Sequence, residues 1–281
     1  MKVIVAGGTR GIGRAIADAF LNDGHTTCVI GRNAPLDNPG HLFVESDFSK
    51  GGQVAASITT AAELLSGCDV LIHSIGTNIR KAAIDYSCAE FDHILGVNLL
   101  SAWDAAIAAY PYLDASPTAS VVFIGSVASK VYVGSGVPYA MTKAAMDQMT
   151  RGLAVEWAEQ GITVNTVQPW YTQTDLAAPV LNDPARLAVI LAATPNKRIA
   201  APEDIAGIAM FLAGPSAASD PIVAARASGC RTYAAPDTIL AARAFGCQPS
   251  VCLSPHGPWA TALSNHCLPR TKFALRQHLE A

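Results

Sequence analysis

Three side chains near the middle of the chain have the types and the spacing that proton transfer requires. Tyr139 and Lys143 are four residues apart in a helix-forming stretch, so both lie on one helical face within reach of each other. Ser126 ends a β-branched run thirteen residues before Tyr139. A tyrosine that exchanges a proton near neutral pH needs its pKa lowered by roughly 3 units from about 10, and a neighbouring ammonium favours that change. The three residues predict an acid–base site in which the serine holds the reacting oxygen.

A glycine-rich turn lies directly between the first apolar run and the first helical stretch. It reads Ala6-Gly7-Gly8-Thr9-Arg10-Gly11-Ile12-Gly13. Glycine allows the backbone to turn tightly and to approach a ligand, and a helix N-terminus presents free N–H groups to a pyrophosphate. A tight strand-to-helix turn without a ligand is the alternative, but the position after an N-terminal strand favours a dinucleotide-binding turn.

Two arginines bear on which dinucleotide this turn would hold. An acid after the second strand would bind a ribose 2′-hydroxyl and repel a 2′-phosphate. That strand instead ends in Gly31-Arg32, and the first acid after it is Asp37. Arg10, inside the glycine turn, can reach the same place. Unless both arginines are only solvated surface residues, two charged donors favour NADP(H) over NAD(H).

Short apolar runs alternate with longer helical stretches along most of the chain. The runs that predict strands are Lys2–Val5, Thr26–Ile30, His41–Val44, Val70–Ile72, Val121–Gly125 and Ile162–Val167. Helices are expected over Gly13–Asn22 and about 52–66, 87–110, 139–159 and 202–213, with a loop near 170–200 and another between residues 31 and 41. Buried strands separated by helices indicate a parallel sheet covered on both faces. The predicted fold class is α/β, a single domain with a Rossmann-type doubly wound parallel sheet and an atypical C-terminal tail.

These ordered motifs resemble those of the short-chain dehydrogenase/reductase family over about residues 1–219. Within that family, the segments 76–81 and 169–171 are most similar to tropinone-reductase-like members, and 3-oxoacyl-reductase-like members are the second possibility. The resemblance implies that Asp47 contacts the adenine and that Asn98 supports a water relay to the lysine. It also implies that Lys143 binds the nicotinamide ribose, and that the cationic nicotinamide ring helps to lower the Tyr139 pKa.

The motifs and the resemblance together name the candidate site residues. The predicted catalytic residues are Asn98, Ser126, Tyr139 and Lys143. The predicted cofactor-binding residues are Gly7, Thr9, Arg10, Gly11, Ile12, Gly13, Arg32, Asp47, Ser74, Gly76, Tyr139, Lys143, Pro169, Thr172 and Thr174. His73 and Ser74 stand where the family usually has two asparagines, and His73 is expected to be a structural sheet residue. Trp170, beside the nicotinamide segment, is a candidate pocket wall.

The composition changes near residue 219, which we take as the end of an NADP-binding catalytic domain over 1–219. Residues 220–281 contain six prolines and four of the seven cysteines, and one helix near Asp237–Phe245 is predicted there. This extension is interpreted either as a poorly ordered product of an altered reading frame or as a divergent segment in which Pro221–Ala227 adds an edge strand. No metal site is expected, because Cys247, Cys252, His256, His266 and Cys267 fit no paired zinc-ligand spacing.

The overall composition limits the possible function classes. Hydrophobic residues make up 51% of the 281 residues and the net charge is −3, which argues against a disordered chain and against binding to nucleic acid or an anionic membrane. Nowhere do about 18 apolar residues follow one another, so no transmembrane helix is expected. The cysteines are expected to be reduced thiols of a cytoplasmic protein.

The favoured function is the NADP(H)-dependent interconversion of a carbonyl and a secondary alcohol on a small-molecule substrate. Two alternatives stay open: a 3-oxoacyl-thioester reductase acting on acyl carrier protein, and a dinucleotide-binding protein without activity if the extension disrupts the fold. The resemblance further implies a homodimer or a homotetramer.

Overall fold

Six parallel strands form one sheet in the computed structural model, which describes residues 1–35, 37 and 40–214. The strands are β1 (Lys2–Ala6), β2 (Thr26–Gly31), β3 (Leu42–Glu45), β4 (Val70–His73), β5 (Ser120–Ile124) and β6 (Thr163–Val167). All neighbouring strands are parallel, and each predicted strand is present with its ends shifted by at most one residue. The prediction of a doubly wound α/β fold is confirmed.

The strand order places a crevice at the middle of the sheet. The order is β3-β2-β1-β4-β5-β6, so the chain builds outward from β1 in one direction and then from β4 in the other. At such a reversal the connections after the two central strands leave on opposite faces, and a crevice opens beyond their carboxyl ends. The glycine turn follows β1 and residues 74–80 follow β4, so both border this crevice.

Helices cover both faces of the sheet. Their bounds are α1 (Gly11–Asn22), α2 (Gln53–Leu65), α3 (Cys88–Leu95), α4 (Ser101–Asp114), α5 (Val137–Glu156), α6 (Ala178–Leu181), α7 (Pro184–Ala193) and α8 (Pro202–Ala213). Single 3₁₀ turns occur at Ala83–Asp85 and Val127–Ser129, and a π-turn at Gly96–Leu100 joins α3 to α4.

The alternating side chains of the strands divide the core into two layers. In β1, Val3 and Val5 pack with residues of α1 and α8, whereas Ile4 packs on the other face with residues of α2, α4 and α5. A β-strand sends successive side chains to opposite faces, so strands that are apolar throughout bury both faces. The core-facing residues of α4 are mostly alanines, which allow its backbone to approach the sheet closely.

Two expectations about the connecting segments need correction. The stretch near 170–200 is not a loop throughout, because it contains α6 and α7. Helix α7 begins after Asp183, whose carboxylate accepts hydrogen bonds from the backbone N–H groups of Ala185 and Arg186. The helix predicted at 87–110 extends to residue 114 and is interrupted by the π-turn. The described residues between β2 and β3 form no helix, as expected.

The helical stretch Cys88–Asp114 is long and apolar enough, by length and composition, to cross a membrane. No such stretch was expected from the sequence among the residues described. The alanines of α4 pack into the core, and this packing accounts for the apolar character of the stretch. The predicted extension at 220–281, including its helix, its edge strand and its cysteines and histidines, lies outside the described residues.

A substitution at Gly13 tests the packing of the glycine turn. A Cβ at this position would stand 2.2 Å from the Gly7 carbonyl oxygen and 3.1 Å from the Ser74 Cβ. We expect Gly13→Ala to lower the free energy of unfolding by roughly 1–3 kcal/mol, since forced overpacking has that cost. The control is Gly207→Ala, where no atom lies within 4 Å and α8 gains an alanine in place of glycine. Urea unfolding followed by circular dichroism measures both; equal stability of the two variants would contradict the packing described.

Candidate active site

A cleft of about 890 Å³ lies at the carboxyl edge of the sheet, at the reversal between β1 and β4. Its walls come from the segments that follow the carboxyl ends of all six strands, together with the first turns of α5. Ligand sites of doubly wound sheets lie at this position, and a volume within about 300–1,000 Å³ is ordinary for a cofactor site. The fold therefore brings residues from distant parts of the chain into one cavity.

The structure brings most of the predicted site residues into this cleft. Those that line it are Gly7, Thr9, Arg10, Gly11, Ile12, Arg32, Asp47, Ser74, Gly76, Ser126, Tyr139, Lys143, Pro169, Thr172 and Thr174. Trp170 also lines the cleft. Gly13 and Asn98 do not line it: Gly13 packs beneath the glycine turn, and Asn98 is fully buried behind the cleft wall.

The glycine turn has the shape that a pyrophosphate needs. Gly7 and Gly11 have positive φ angles of 83° and 56°, which side-chain-bearing residues rarely adopt. A Cβ on Gly7 would stand 2.9 Å from the Ser74 carbonyl oxygen, so the turn packs directly against the segment after β4. No side chain caps the N-terminus of α1, and its first N–H groups are open to an anion. The residues present therefore fit a dinucleotide.

Two arginines, Arg10 and Arg32, line the end of the cleft near the glycine turn. Arg10 donates to the Asp175 carboxylate at 3.0 Å, and both side chains are largely exposed. Arg32 is exposed and has no carboxylate within 4 Å among the described residues. Asp37 does not line the cleft and accepts two hydrogen bonds of 2.8 Å from Arg14, which lower the Asp37 pKa to about 2. The first acid after β2 is therefore held outside the cleft.

Asp47, at the same end, keeps its carboxylate charged. It accepts hydrogen bonds from the hydroxyl and the backbone N–H of Ser49 at 2.8 and 3.1 Å. These bonds lower the Asp47 pKa. Its own backbone N–H donates to the Gln53 side chain at the start of α2. Asp47 is thus fixed beside the cleft rather than pointing freely into it.

Tyr139 and Ser126 face each other at the opposite end of the cleft. Burial raises the Tyr139 pKa, while hydrogen bonding by the Ser126 hydroxyl and the charge of Arg80 oppose that rise. The Ser126 oxygen also accepts from the Ala128 backbone N–H at 3.1 Å, which fixes the serine rotamer. The lowering of the Tyr139 pKa that the sequence leads us to expect depends on the cationic nicotinamide ring as well as on the lysine, so it stays a prediction. In the chain without a cofactor, burial outweighs the groups that oppose it.

Lys143 is buried, with 3% of its surface exposed. Its ammonium donates to the Ile124 carbonyl oxygen at 2.8 Å and lies 5.9 Å from the centre of the Tyr139 ring. Burial lowers the Lys143 pKa to about 8, and the carboxylate of Asp147, one helical turn later, opposes that change. Asp147 is itself buried and accepts from the Gln168 side chain at 2.6 Å. The lysine is therefore still mostly protonated at neutral pH.

Asn98 holds the segment that follows β4. Its side chain accepts from the Thr77 backbone N–H at 2.7 Å and donates to the Thr77 carbonyl oxygen at 3.0 Å and to the Thr142 hydroxyl. It lies in the π-turn, a local widening that is frequent at functional sites. Asn98 and the Lys143 ammonium both lie within 4 Å of the place where a Cβ on Gly76 would stand. Asn98 therefore positions a cleft wall, and the water relay stays a prediction.

Several cleft residues were not predicted from the sequence. Arg80, Tyr171 and Asp175 line the cleft in addition to the predicted residues. Arg80 belongs to the segment 76–81, which was noted only for its similarity to tropinone-reductase-like proteins. Its position after the carboxyl end of a central strand was the signal that could have identified it. Within the described part of the chain, no group of three or more His, Cys, Asp or Glu side chains could hold a metal ion.

A family model and two known proteins are similar to most of this chain. Residues 6–219 match a family model described as enoyl-(acyl carrier protein) reductase, a short-chain dehydrogenase/reductase model. A tropinone reductase homolog of Arabidopsis thaliana is 37% identical over 224 residues, 76% of this chain and 85% of the relative. A tropinone reductase homolog of Datura stramonium is 32% identical over 232 residues, 77% of this chain and 86% of the relative.

Two solved structures resemble the fold closely. The TT0495 protein of Thermus thermophilus is 35% identical, with a TM-score of 0.75 over 77% of this chain and 92% of that chain. A putative NAD(P)-dependent gluconate 5-dehydrogenase of Beutenbergia cavernae, with NADP bound at low occupancy, is 32% identical. Its TM-score is 0.73 over 77% of this chain and 90% of that chain.

The buried ammonium of Lys143 predicts a pH-dependent stability. Its pKa falls from an ordinary 10.5 to about 8 on folding, so between these pH values the unfolded chain binds more protons than the folded chain. Stability should therefore rise with pH in that window, by about 1.4 kcal/mol per pH unit. In Lys143→Met this contribution should be absent, whereas Lys50→Met, which changes an exposed lysine, should retain it. Urea unfolding across the window tests this, and parallel stability curves for wild type and Lys143→Met would refute it.

Proposed function

The chain belongs to the short-chain dehydrogenase/reductase family of oxidoreductases, and from that premise we propose that it interconverts a carbonyl and a secondary alcohol with NADP(H). One observation carries the proposal: the hydroxyls of Tyr139 and Ser126 and the ammonium of Lys143 border the same cleft as the glycine turn. Members of the family bind a nicotinamide dinucleotide, and the fit of this turn to a pyrophosphate supports the same class of cofactor here.

The acid–base residues have distinct tasks in the proposed reaction. A nicotinamide dinucleotide held by the glycine turn would provide the hydride chemistry at the carbon of the reacting C–O bond. Tyr139 donates its phenolic proton to the oxygen during reduction and takes it back during oxidation. Ser126 orients that oxygen by a hydrogen bond. With the cofactor bound, the Lys143 ammonium, 5.9 Å from the centre of the Tyr139 ring, would join the cationic nicotinamide ring in stabilising the phenolate that remains after proton donation. Asn98 fixes the Thr77 backbone and, through it, the wall of the cleft beside the lysine.

The proposed preference for NADP(H) rests on charge. Arg32 lines the cleft without a carboxylate partner among the described residues, and Arg10 lines it from the glycine turn. A 2′-phosphate would offer Arg10 a stronger partner than the exposed Asp175. Asp37, the acid that would repel a phosphate, is bound to Arg14 outside the cleft.

We further propose a homodimer or homotetramer in the cytoplasm, without nucleic acid or membrane as a partner. Large apolar side chains at the surface of the region around α4 and α5 support self-association; they are Leu100, Trp103, Ile107, Met141 and Val155. The three cysteines within the described part of the chain, Cys28, Cys68 and Cys88, are free thiols, which is compatible with a reducing compartment.

Replacing the phenol of Tyr139 should remove turnover but not the cofactor site. We expect Tyr139→Phe to reduce kcat for ketone reduction by about 100- to 10,000-fold, the usual contribution of a general acid. NADPH affinity should change little, because the ring remains. Tyr132→Phe, which removes a hydroxyl from a side chain that is 93% exposed, is the control. NADPH consumption with a panel of ketones gives the readout, and turnover retained by Tyr139→Phe would reject the mechanism.

Removing the charge of Arg32 should weaken the discrimination between the two dinucleotides. We expect Arg32→Gln to lose about 10- to 100-fold in NADPH affinity, since charge-assisted hydrogen bonds contribute roughly 1.5–3 kcal/mol, and to bind NADH as wild type does. Arg151→Gln removes the same charge from α5, away from the cleft lining, and should bind both cofactors normally. Fluorescence titration measures the four affinities. An equal loss for NADPH and NADH in Arg32→Gln would mean that this residue does not read the 2′-phosphate.

A further inference from the structure

Arg80 is an arginine of the cleft wall that the proposed mechanism does not use. It is partly buried and follows β4, on the segment that Asn98 holds. One of its terminal nitrogens donates to the Leu176 carbonyl oxygen at 3.1 Å. Among the described residues, no carboxylate lies within 4 Å of it, whereas the arginines at 10, 14, 186 and 198 all have carboxylate partners. Most of its N–H groups are therefore available to a ligand.

The positive charge of the Arg80 guanidinium affects two phenols at the end of the cleft where the reaction is proposed to occur. Burial raises the pKa of Tyr139 and of Tyr171, and the positive charge of Arg80 opposes the rise at both phenols. Arg80 and Arg32 are thus the two cleft-lining arginines without a carboxylate partner in the described part of the chain, one beside Tyr139 and the other after β2. The dinucleotide phosphates would occupy the glycine turn and the Arg32 region, and this leaves Arg80 for the substrate.

The backbone on both sides of Arg80 is fixed by Tyr86. The Tyr86 hydroxyl donates to the Ile79 carbonyl oxygen and accepts from the Lys81 backbone N–H at 3.3 Å. Lys81 itself pairs with Glu90, outside the cleft lining. Together with the two hydrogen bonds between Asn98 and the Thr77 backbone, these contacts fix the backbone that carries Arg80, and the bond to the Leu176 carbonyl oxygen holds its guanidinium. A held side chain loses less entropy on binding.

The acids of the cleft cannot neutralise Arg80. Only Asp47 and Asp175 line the cleft among the described residues. Asp175 is paired with Arg10, and Asp47 accepts from Ser49 near the adenosine end. A partly buried guanidinium without a counter-charge favours an anionic ligand, and carboxylates match its planar N–H donors.

We propose that the substrate is a hydroxy or oxo acid whose carboxylate binds Arg80 while Ser126 and Tyr139 hold the reacting oxygen. This inference rests on the proposed function and specifies its substrate class. In the oxidation direction, the secondary alcohol of the acid loses its hydride to the bound cofactor and its hydroxyl proton to Tyr139, and an oxo acid results. A cationic substrate would meet an uncompensated positive charge beside the tyrosine.

The test uses matched pairs of probes in which one member carries a carboxylate and the other a neutral group at the same position. Gluconate and sorbitol share a six-carbon polyol chain but end in a carboxylate or a hydroxymethyl group, and acetoacetate and its methyl ester form a second pair. Each is titrated into the full chain saturated with NADP⁺ or NADPH, and each is also assayed for turnover. We expect wild type to prefer the acid of at least one pair. Arg80→Gln should lose about 10- to 100-fold of that preference and keep the response to the neutral member.

Lys81→Gln is the matched control, because it removes the same charge from the neighbouring residue, which pairs with Glu90 outside the cleft lining. Arg80→Lys restores a charge and should recover part of the preference. NADPH affinity equal to that of wild type shows that each variant is folded. A wild type that binds neutral members as well as acids, or an Arg80→Gln that loses both alike, overturns the proposal.

If the proposed function is wrong, the experiment gives a different result from the one that overturns the substrate class. A chain that binds NADPH but turns over neither acids nor neutral carbonyl compounds would contradict the oxidoreductase proposal. In that case the binding titrations alone decide the anion site, since they need no turnover.

Discussion

The arrangement of the rest of the site depends on the buried ammonium of Lys143. Lys143 carries its charge inside the protein because the Ile124 carbonyl oxygen accepts from it and Asp147 lies one helical turn away. Both contacts of Lys143 depend on the register of α5. This register places Tyr139, Lys143 and Asp147 at intervals of four residues on one face of the helix. The start of α5 is fixed in turn by Gly136, at a φ of 95°, and by Pro138 in the first turn. A shift of this helix by one residue would move the phenol away from the cleft, the ammonium away from the Ile124 carbonyl oxygen and the carboxylate away from Gln168.

The arginines at the two ends of the cleft are proposed to bind different ligands. The reversal of strand order at β1 and β4 makes one continuous crevice, but the arginines along it serve different ligands in our account. Arg10 and Arg32 face the adenosine end, and Arg80 faces the tyrosine. Asp175 pairs with Arg10 within the cleft, whereas Asp37 is paired with Arg14 and does not line it, and Arg32 and Arg80 have no carboxylate within 4 Å among the described residues. Selectivity for cofactor and substrate thus follows, in our proposal, from the two arginines that no carboxylate neutralises.

Local sequence patterns predicted much of this arrangement, and tertiary packing decided the remainder. The six apolar runs and the glycine turn are local features, so the strands and the shape of the dinucleotide turn could be predicted. The π-turn at Gly96–Leu100 and helix α7 could not, because the first is a short irregularity within a long helical pattern and the second lies in a stretch that was expected to be a loop. The effect of burial on the Tyr139 pKa and the hydrogen bond of Lys143 to the Ile124 carbonyl oxygen could not be predicted either, since both are properties of the folded chain. Arg80 was missed for the same reason, as its lack of a carboxylate partner is visible only once the surrounding residues are in place.

The measurement that tests this account most directly is a fluorescence titration of the full chain with NADPH, with NADH as the comparison. The glycine turn, the uncapped N-terminus of α1 and the arginines of the adenosine end predict micromolar binding of NADPH and much weaker binding of NADH. Saturable binding with that preference would show that the cleft is a functional dinucleotide site. Absence of binding by either dinucleotide would contradict the central claim, because every proposed step takes place beside a cofactor held in this cleft.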